Sequence, residues 1–395
     1  MKRHITQVAR AVVLAAAAAL SGAHAEPPSV PAGQRHWAAS WIAPAEPVWG
    51  NDFVLPVGMP EKIGNATLRQ SLRTSIGGER IRLVVSNEYG DRPLKIGSAH
   101  VAQEGGGAHA WASFQGAREV LVAAGAKAVS DPIAIGPQAG SRLKVDLYLP
   151  EPAGLAGFHW DARDRTLLLP GNLAGRPPPP DAMAITSRAF LSAVLVESAR
   201  KPVAVVALGD SLTDGNGSTP GADRRWPDFL AQRLAPQGVA VLNAGISGNR
   251  LLRPGMGESA LARLDRDVLQ QPGVHAVIVL LGTNDIGWPG GPFAPHETVP
   301  GAEEITQGFR QLVERAHLRG VRVVGATIAP FEDALAGTPL EGHYSPRKEA
   351  IRRAVNEWIR EAGVFDAVVD FDRLLRDPAR PSRLRAEFDS GDHLH

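Results

Sequence analysis

The 395-residue sequence has no cysteine. Disulfides, zinc–thiolate centres and lipid attachment through a cysteine are excluded. Stability must come from packed cores, which a chain of this length can supply. An excess of charge of one sign is lacking too. Lys and Arg number 42 against 41 Asp and Glu, so nothing in the net charge points to nucleic acid or an anionic membrane. Past the first 25 residues there is no long apolar run, so no integral membrane contact is expected.

The beginning of the chain has the character of an export leader. Lys2, Arg3 and Arg10 flank a short apolar stretch at 11–20, and Ala23-His24-Ala25 forms a small-x-small cleavage pattern. Cleavage after Ala25 would deliver a mature chain starting at Glu26 to the periplasm or the medium. The apolar stretch is too short to cross a hydrocarbon core of ~30 Å.

Two organisations follow. Residues 36–197 are all-β in character. Leu68, Leu72 and Ile76 share one face, Ile81, Leu83 and Val85 alternate with Arg82 and Val84, and Leu143, Val145, Leu147 and Leu149 alternate with polar neighbours. Short alternating strands separated by Gly, Pro and Asp predict a sandwich or jelly roll. Five of the eight tryptophans (Trp37, Trp41, Trp49, Trp111 and Trp160) fall in this half. They suit either core and domain contacts or stacking on sugar rings. His159-Trp160 is placed to reach a neighbouring site.

Residues 202–395 alternate buried strands at 203–208, 239–242, 274–281, 321–326 and 368–371 with helices at 227–234, 259–269, 302–318 and 346–362. Such alternation predicts an α/β fold with a parallel sheet and helices on both sides. Ser345 reads as the last helix's N-cap, Pro346 as its first residue and Gly363 as its stop.

The chemistry-bearing residues follow strand ends. Gly209-Asp210-Ser211-Leu212 follows the first strand, 243–249 the second and Gly282-Thr283-Asn284-Asp285 the third, while Asp389, Asp392, His393 and His395 close the chain. All four clusters should meet at the carboxyl edge of one sheet. A serine hydroxyl needs a base within reach, imidazole suits that task, and a carboxylate on the other ring nitrogen fixes the tautomer. Asp392 and His395, three apart, can form such a pair. The amides of Ser211 and Gly248 and the Asn284 side chain are natural oxyanion donors. His393 with Asp389 is the alternative base pair, and the four tail residues as a metal site is a second alternative. A phosphate loop is disfavoured, because the G-x-x-x-x-G-K-[ST] pattern is missing. Asp210, Asp214 and Asp285 read as loop-holding carboxylates. Trp288, His343 and Tyr344 lie in loops expected to wall a substrate cleft.

The four blocks resemble those of the SGNH/GDSL hydrolase family: GDSLTDG, GISGN, GTND and DHLH, in that order. The resemblance covers about residues 202–395. Arg225-Trp226-Pro227 and 249–252 are similar to a secreted bacterial branch with a β-sandwich before the hydrolase domain. The family implies a flavodoxin-like sheet and cofactor-free ester hydrolysis through an acyl-enzyme. It implies Ser211 as nucleophile, His395 as base, Asp392 as its partner, and Gly248 and Asn284 in the oxyanion hole. It also implies a small-molecule or polysaccharide ester as substrate, with short acyl groups and an acetylated carbohydrate preferred. A broad arylesterase, a lysophospholipase, a thioesterase and an impaired glycan-binding protein remain alternatives. Family members continue past the histidine with a proline and one more helix. A chain ending at His395 is therefore expected to leave an apolar face uncovered and to be less stable than a longer relative.

Overall fold

The computed structural model describes residues 35–395, and no helix among them is long and apolar enough to cross a membrane. The expected leader at 1–25 lies outside the described residues.

The first half is built on two large antiparallel sheets, with three two-stranded ones beside them. One orders His36–Ile42, Leu191–Ser198, Ile81–Ser86 and Lys127–Val129. The other has six strands, centred on Ala66–Arg73 and Arg142–Leu149, which pair along their whole length. Alternation decides which side chains enter the core: Leu68, Leu72, Leu143, Val145, Leu147 and Leu149 are buried there with Leu83, Val85, Val194 and Val196 of the facing sheet. Ile76 departs from the sequence expectation. The strand stops at Arg73, and Ile76 enters the core from a turn whose backbone is held by the Ser40 hydroxyl.

The second half is a five-stranded parallel sheet. Its strands are β1 (Val203–Gly209), β2 (Val239–Gly245), β3 (Val274–Leu280), β4 (Arg322–Ala326) and β5 (Ala367–Val369). Its helices are α1 (Ser211–Asp214), α2 (Trp226–Leu234), α3 (Ala260–Leu264), α4 (Thr283–Gly287), α5 (Ala302–His317), α6 (Pro346–Glu361) and α7 (Phe371–Leu375). The order β2-β1-β3-β4-β5 is that of a flavodoxin-like fold. Successive residues of β1 and β2 go to opposite faces: Val206, Leu208 and Leu242 join the core that also holds side chains of α5, α6 and the first half, and Val205 and Val241 join that of α2. The fifth strand is shorter than the sequence suggests. Asp370 breaks it by accepting a hydrogen bond from Arg373 N at 3.1 Å, which caps α7 and turns Phe371 into its first residue. The 259–269 helix is split as well, α3 running on into one wide π turn, Asp265–Leu269.

The halves share a core. The buried cluster that holds Ala38, Leu83 and Val194 runs on into Ala204, Ala240 and Leu242. Around it, Arg73 and Arg142 both bind Asp223, at 2.7 and 2.6 Å, and Arg266 donates to the Tyr89 hydroxyl at 2.7 Å.

Candidate active site

Register brings the sequence blocks together. Gly209 of β1 lies level with Gly245 of β2 and Leu280 of β3, so the segments that follow all leave the same edge. The strand order reverses between β1 and β3, where open α/β sheets form their crevice.

Ser211 is the first residue of α1, a single turn. Asp210 caps it, its Oδ1 accepting from Leu212 N at 3.1 Å, and Gly215 ends it at φ 104°. Gly209 is required by close packing, since a Cβ there would lie 2.0 Å from Thr213 Oγ1 and 2.9 Å from Leu280 O. The amide of Ser211 opens a helix and so has no partner within it.

His395 Nε2 lies 2.8 Å from Ser211 Oγ, and its Nδ1 lies 2.6 Å from Asp392 Oδ2. The other carboxylate oxygen accepts from His395 N, Leu394 N and the Ser390 hydroxyl at 2.9, 3.0 and 3.0 Å. Burial opposes the charge on Asp392, but the hydrogen bond and charge of His395 outweigh it, so the carboxyl sits well below its usual range. With Nδ1 donating to Asp392, Nε2 is left to accept the Ser211 proton. The alternative pair is elsewhere: His393 Nδ1 binds Asp389 Oδ2 at 2.5 Å, and its side chain is 42% exposed. Among the described residues no three His, Asp or Glu side chains are grouped to hold a metal ion.

The donors converge from two loops. Gly248 has φ +69°, and a Cβ on it would sit 2.6 Å from both Met256 Sδ and Trp288 Cζ2. Asn284, in α4, is buried and spends one amide proton on Asn249 O at 3.1 Å. Its second proton is free for another acceptor. Asp285 accepts from Leu251 N and Leu252 N at 2.7 and 2.9 Å, so it ties the two loops together as a loop-holding carboxylate. Burial keeps its pKa raised, and pushes that of Asp210 up to about 7.

The three cleft residues divide. Trp288 is 4% exposed and stacks on Phe293 at 4.6 Å, so it backs Gly248. His343 is buried against Gly287 and edge-on to Phe331, and burial, Lys348 and His395 push its pKa down to about 3. Tyr344 packs edge-on to the same Phe331 at 6.2 Å, with Glu332, Glu349 and Ser382 around it. The tryptophans divide as well. Trp41 is buried under Arg188 and Trp37 lies beneath Arg82, while Trp49 and Trp160 join Phe53 and Phe158 close to Trp288. Trp111 is 42% exposed on the far sheet.

Two features escape sequence reasoning. Arg263, fully buried, donates to Gly209 O, Ala244 O, Asn249 Oδ1 and Asp267, tying the ends of β1 and β2 to the Gly248 loop. A signal for it existed: it stands three residues after Ala260, on the border of the apolar stripe Ala260, Leu264, Val268. The other is a buried polar cluster drawn from both halves, Glu46, His159, Asp214 and Ser247. The sequence marks His159 as reaching the neighbouring site and Asp214 as loop-holding, but not that the two pair, and nothing in it marks Glu46 or Ser247.

Residues 207–395 match the model of the GDSL-like Lipase/Acylhydrolase family. None of the curated proteins matches the chain. Among solved structures it is similar to a putative acylhydrolase from Bacteroides fragilis (20% identity, 50% of this chain and 81% of that one, TM-score 0.36). It is similar to a GDSL-like lipase from Bacteroides thetaiotaomicron (19%, 50% and 82%, 0.36). A third is the acetyl xylan esterase AlAXEase (19%, 49% and 92%, 0.35).

Proposed function

The second domain belongs to the GDSL-like Lipase/Acylhydrolase family and is a carboxylic ester hydrolase domain, and from that premise we propose that Ser211 is its nucleophile, served by His395 and Asp392. The observation that carries this reading is the continuous line Asp392 Oδ2, His395 Nδ1, His395 Nε2, Ser211 Oγ, with steps of 2.6 and 2.8 Å across the ring. Ser211 Oγ attacks the ester carbonyl as His395 Nε2 takes its proton, and Asp392 stabilises the imidazolium. The carbonyl oxygen becomes an anion facing the Ser211 and Gly248 amides and the free proton of Asn284 Nδ2. Those donors are already fixed, so no reorganisation is needed as charge develops. Collapse expels the alcohol with the proton from His395. Water then attacks the acyl-serine by the same steps.

The substrate reading is a short acyl ester, acetyl above all, of a carbohydrate or other ring-bearing alcohol. Two features support it. Met256 and Trp288 fill the space beside Gly248, which disfavours a long acyl chain. The half-buried rings of Trp49, Phe53, Trp160 and Phe293 gather beyond them, a surface suited to the C–H face of a sugar. The leader read from residues 1–25 would carry this activity outside the cytoplasm.

A fluorophosphonate probe followed by peptide mapping tests the nucleophile, with Ser211 expected as the labelled residue. A protein that stays unlabelled and hydrolyses no ester is a binding protein, and the reading falls. A nitrophenyl ester chain-length series beside acetylated xylan tests the substrate. Rates rising towards octanoate, or no acetate released from xylan, would overturn the acetyl-carbohydrate assignment.

A further inference from the structure

Glu46, His159, Asp214 and Ser247 form a buried cluster across the two halves, and the triad chemistry uses none of them. His159 Nδ1 lies 2.8 Å from Pro44 O, and its Nε2 lies 3.1 Å from Asp214 Oδ1. Both partners are acceptors, whereas a neutral imidazole carries only one N–H. The carbonyl cannot donate, so Nδ1 holds a proton. Nε2 faces a carboxylate and satisfies it only if it holds a second. The ring is therefore an imidazolium paired with Asp214. Asp214 Oδ2 accepts from the Ser247 hydroxyl at 3.1 Å.

The position of this cluster gives it its consequence. Asp214 is the last residue of α1, the single turn that begins with Ser211. Ser247 immediately precedes Gly248. Gly245 is pressed on the same turn, for a Cβ there would lie 2.3 Å from Asp214 N. We infer that His159 is a positioning residue for the hydrolase site, an imidazolium supplied by the β half that fixes the Ser211 turn and the Gly248 loop through Asp214. This inference rests on the serine-hydrolase reading above.

The surrounding charges are consistent with it. Burial disfavours the charged ring, but the Asp214 carboxylate, its hydrogen bond and the hydrogen bond to Pro44 O outweigh burial and hold its pKa above the ordinary value. Burial pushes the Glu46 carboxyl up to about 8, so near neutrality it keeps its proton and Asp214 is the main counter-charge. Arg188 and Arg225 share a cavity of about 220 Å³ with the ring, Arg188 directed to Asp164 and Arg225 to Asp228. Arg263 faces Glu46 and is bound to Asp267.

The sign of the pH effect follows. A raised folded pKa means that the contribution is complete below the unfolded value of about 6.5 and is lost as pH climbs through the folded one. The wild-type kcat should then decline on the alkaline side.

The experiment compares wild type, H159Q and D214N on nitrophenyl acetate. A glutamine cannot carry the charge, and a turn displaced by about 1 Å costs on the order of 10²-fold. H159Q is expected to lose about 10- to 100-fold in kcat with KM within about twofold. In D214N the amide can donate to a neutral ring and its oxygen can still accept from Ser247, which keeps both hydrogen bonds without charge. D214N should keep kcat within about threefold near neutrality and lose the alkaline decline. A kcat for H159Q within about twofold of wild type would overturn the inference, as would an alkaline decline in D214N equal to that of wild type. If H159Q does not fold, the D214N profile alone decides. Probe labelling of wild-type Ser211 is scored separately, so failure of the nucleophile assignment cannot be mistaken for failure of this one.

Discussion

Replacing Gly248 by alanine tests the oxyanion geometry more sharply than removing a catalytic side chain, because it leaves every reacting group in place. Two penalties combine. At φ +69° an L-residue pays roughly 1–2 kcal/mol for the left-handed conformation. The new methyl would sit 2.6 Å from Met256 Sδ and from Trp288 Cζ2, where carbon contacts are comfortable at about 3.5–4.0 Å. A shift of about 1 Å is therefore needed. Met256 can supply its share, since a thioether chain rotates readily. Trp288 cannot, being stacked on Phe293 at 4.6 Å and covered by Arg250, which is anchored by Glu297 at 2.7 Å. The loop is therefore what moves, and it carries the amide that faces the oxyanion. Displacing one such donor costs ~10²–10³ in turnover. For G248A, kcat on nitrophenyl acetate is expected to fall about 100-fold with KM nearly unchanged, and the melting temperature by a few degrees at most. A kcat within about threefold of wild type would refute the reasoning, because the amide would then be either displaced without effect or not displaced at all.

Two further outcomes follow from the tail and from the buried imidazole. H395A should abolish turnover while H393A leaves most of it, since only His395 reaches Ser211; steady-state rates at neutral pH check this, and the opposite result would transfer the role to the Asp389–His393 pair. His343 is held neutral with its pKa pushed down to about 3, against about 6.5 when unfolded. The unfolded chain thus binds the extra proton below about pH 6.5, so stability is present above that value and is lost as pH falls, by on the order of 3 kcal/mol at about pH 4. Denaturant melts of wild type and H343L over this range should show a weaker acid dependence in the variant, and parallel curves would reject the assignment.

The central strands of the second half were legible because each carries an apolar run buried on both faces. The helix at Pro346–Glu361 was legible because Ser345, Pro346 and Gly363 mark both ends; the Ser345 hydroxyl accepts from Lys348 N, and Gly363 takes φ 62°. Convergence of the Ser211, Gly248 and Asn284 blocks followed from strand ends alone, because parallel register carries distant segments to one edge. Local rules failed where one side chain decided an end. Asp370, reading as part of a strand, caps a helix instead, and Ile76, reading with Leu68 and Leu72, enters the core from a turn held by the Ser40 hydroxyl. Neither outcome has a period or a spacing that a reader of sequence can count.

The groups that hold the nucleophile have a common physical origin, whether the sequence marked them, as it did Asp210, Asp214 and His159, or not, as with Arg263. Ser211 opens a helix of one turn, and one turn fixes about six dihedrals for a single hydrogen bond, so it has no helical stability of its own. Whatever holds the nucleophile must come from outside the helix. Arg263 grips the carbonyl of Gly209 from below, Asp210 caps the turn, and His159 reaches Asp214 from the other half of the chain, 55 residues away in sequence. Each acts by satisfying a backbone or carboxylate group that burial has cut off from water, where an unpaired partner costs about 1–3 kcal/mol or more. A motif records the groups that react because substrate chemistry dictates their types. It records the holding groups that lie beside them, such as Asp210, Asp214 and Asp285, but not those that reach in from elsewhere in the chain, such as Arg263 and His159, because any buried donor of suitable reach can serve there. The β half is accordingly not a separable appendage on this view: its core is continuous with the sheet, and one of its side chains completes the hydrogen bonding of the turn on which Ser211 stands.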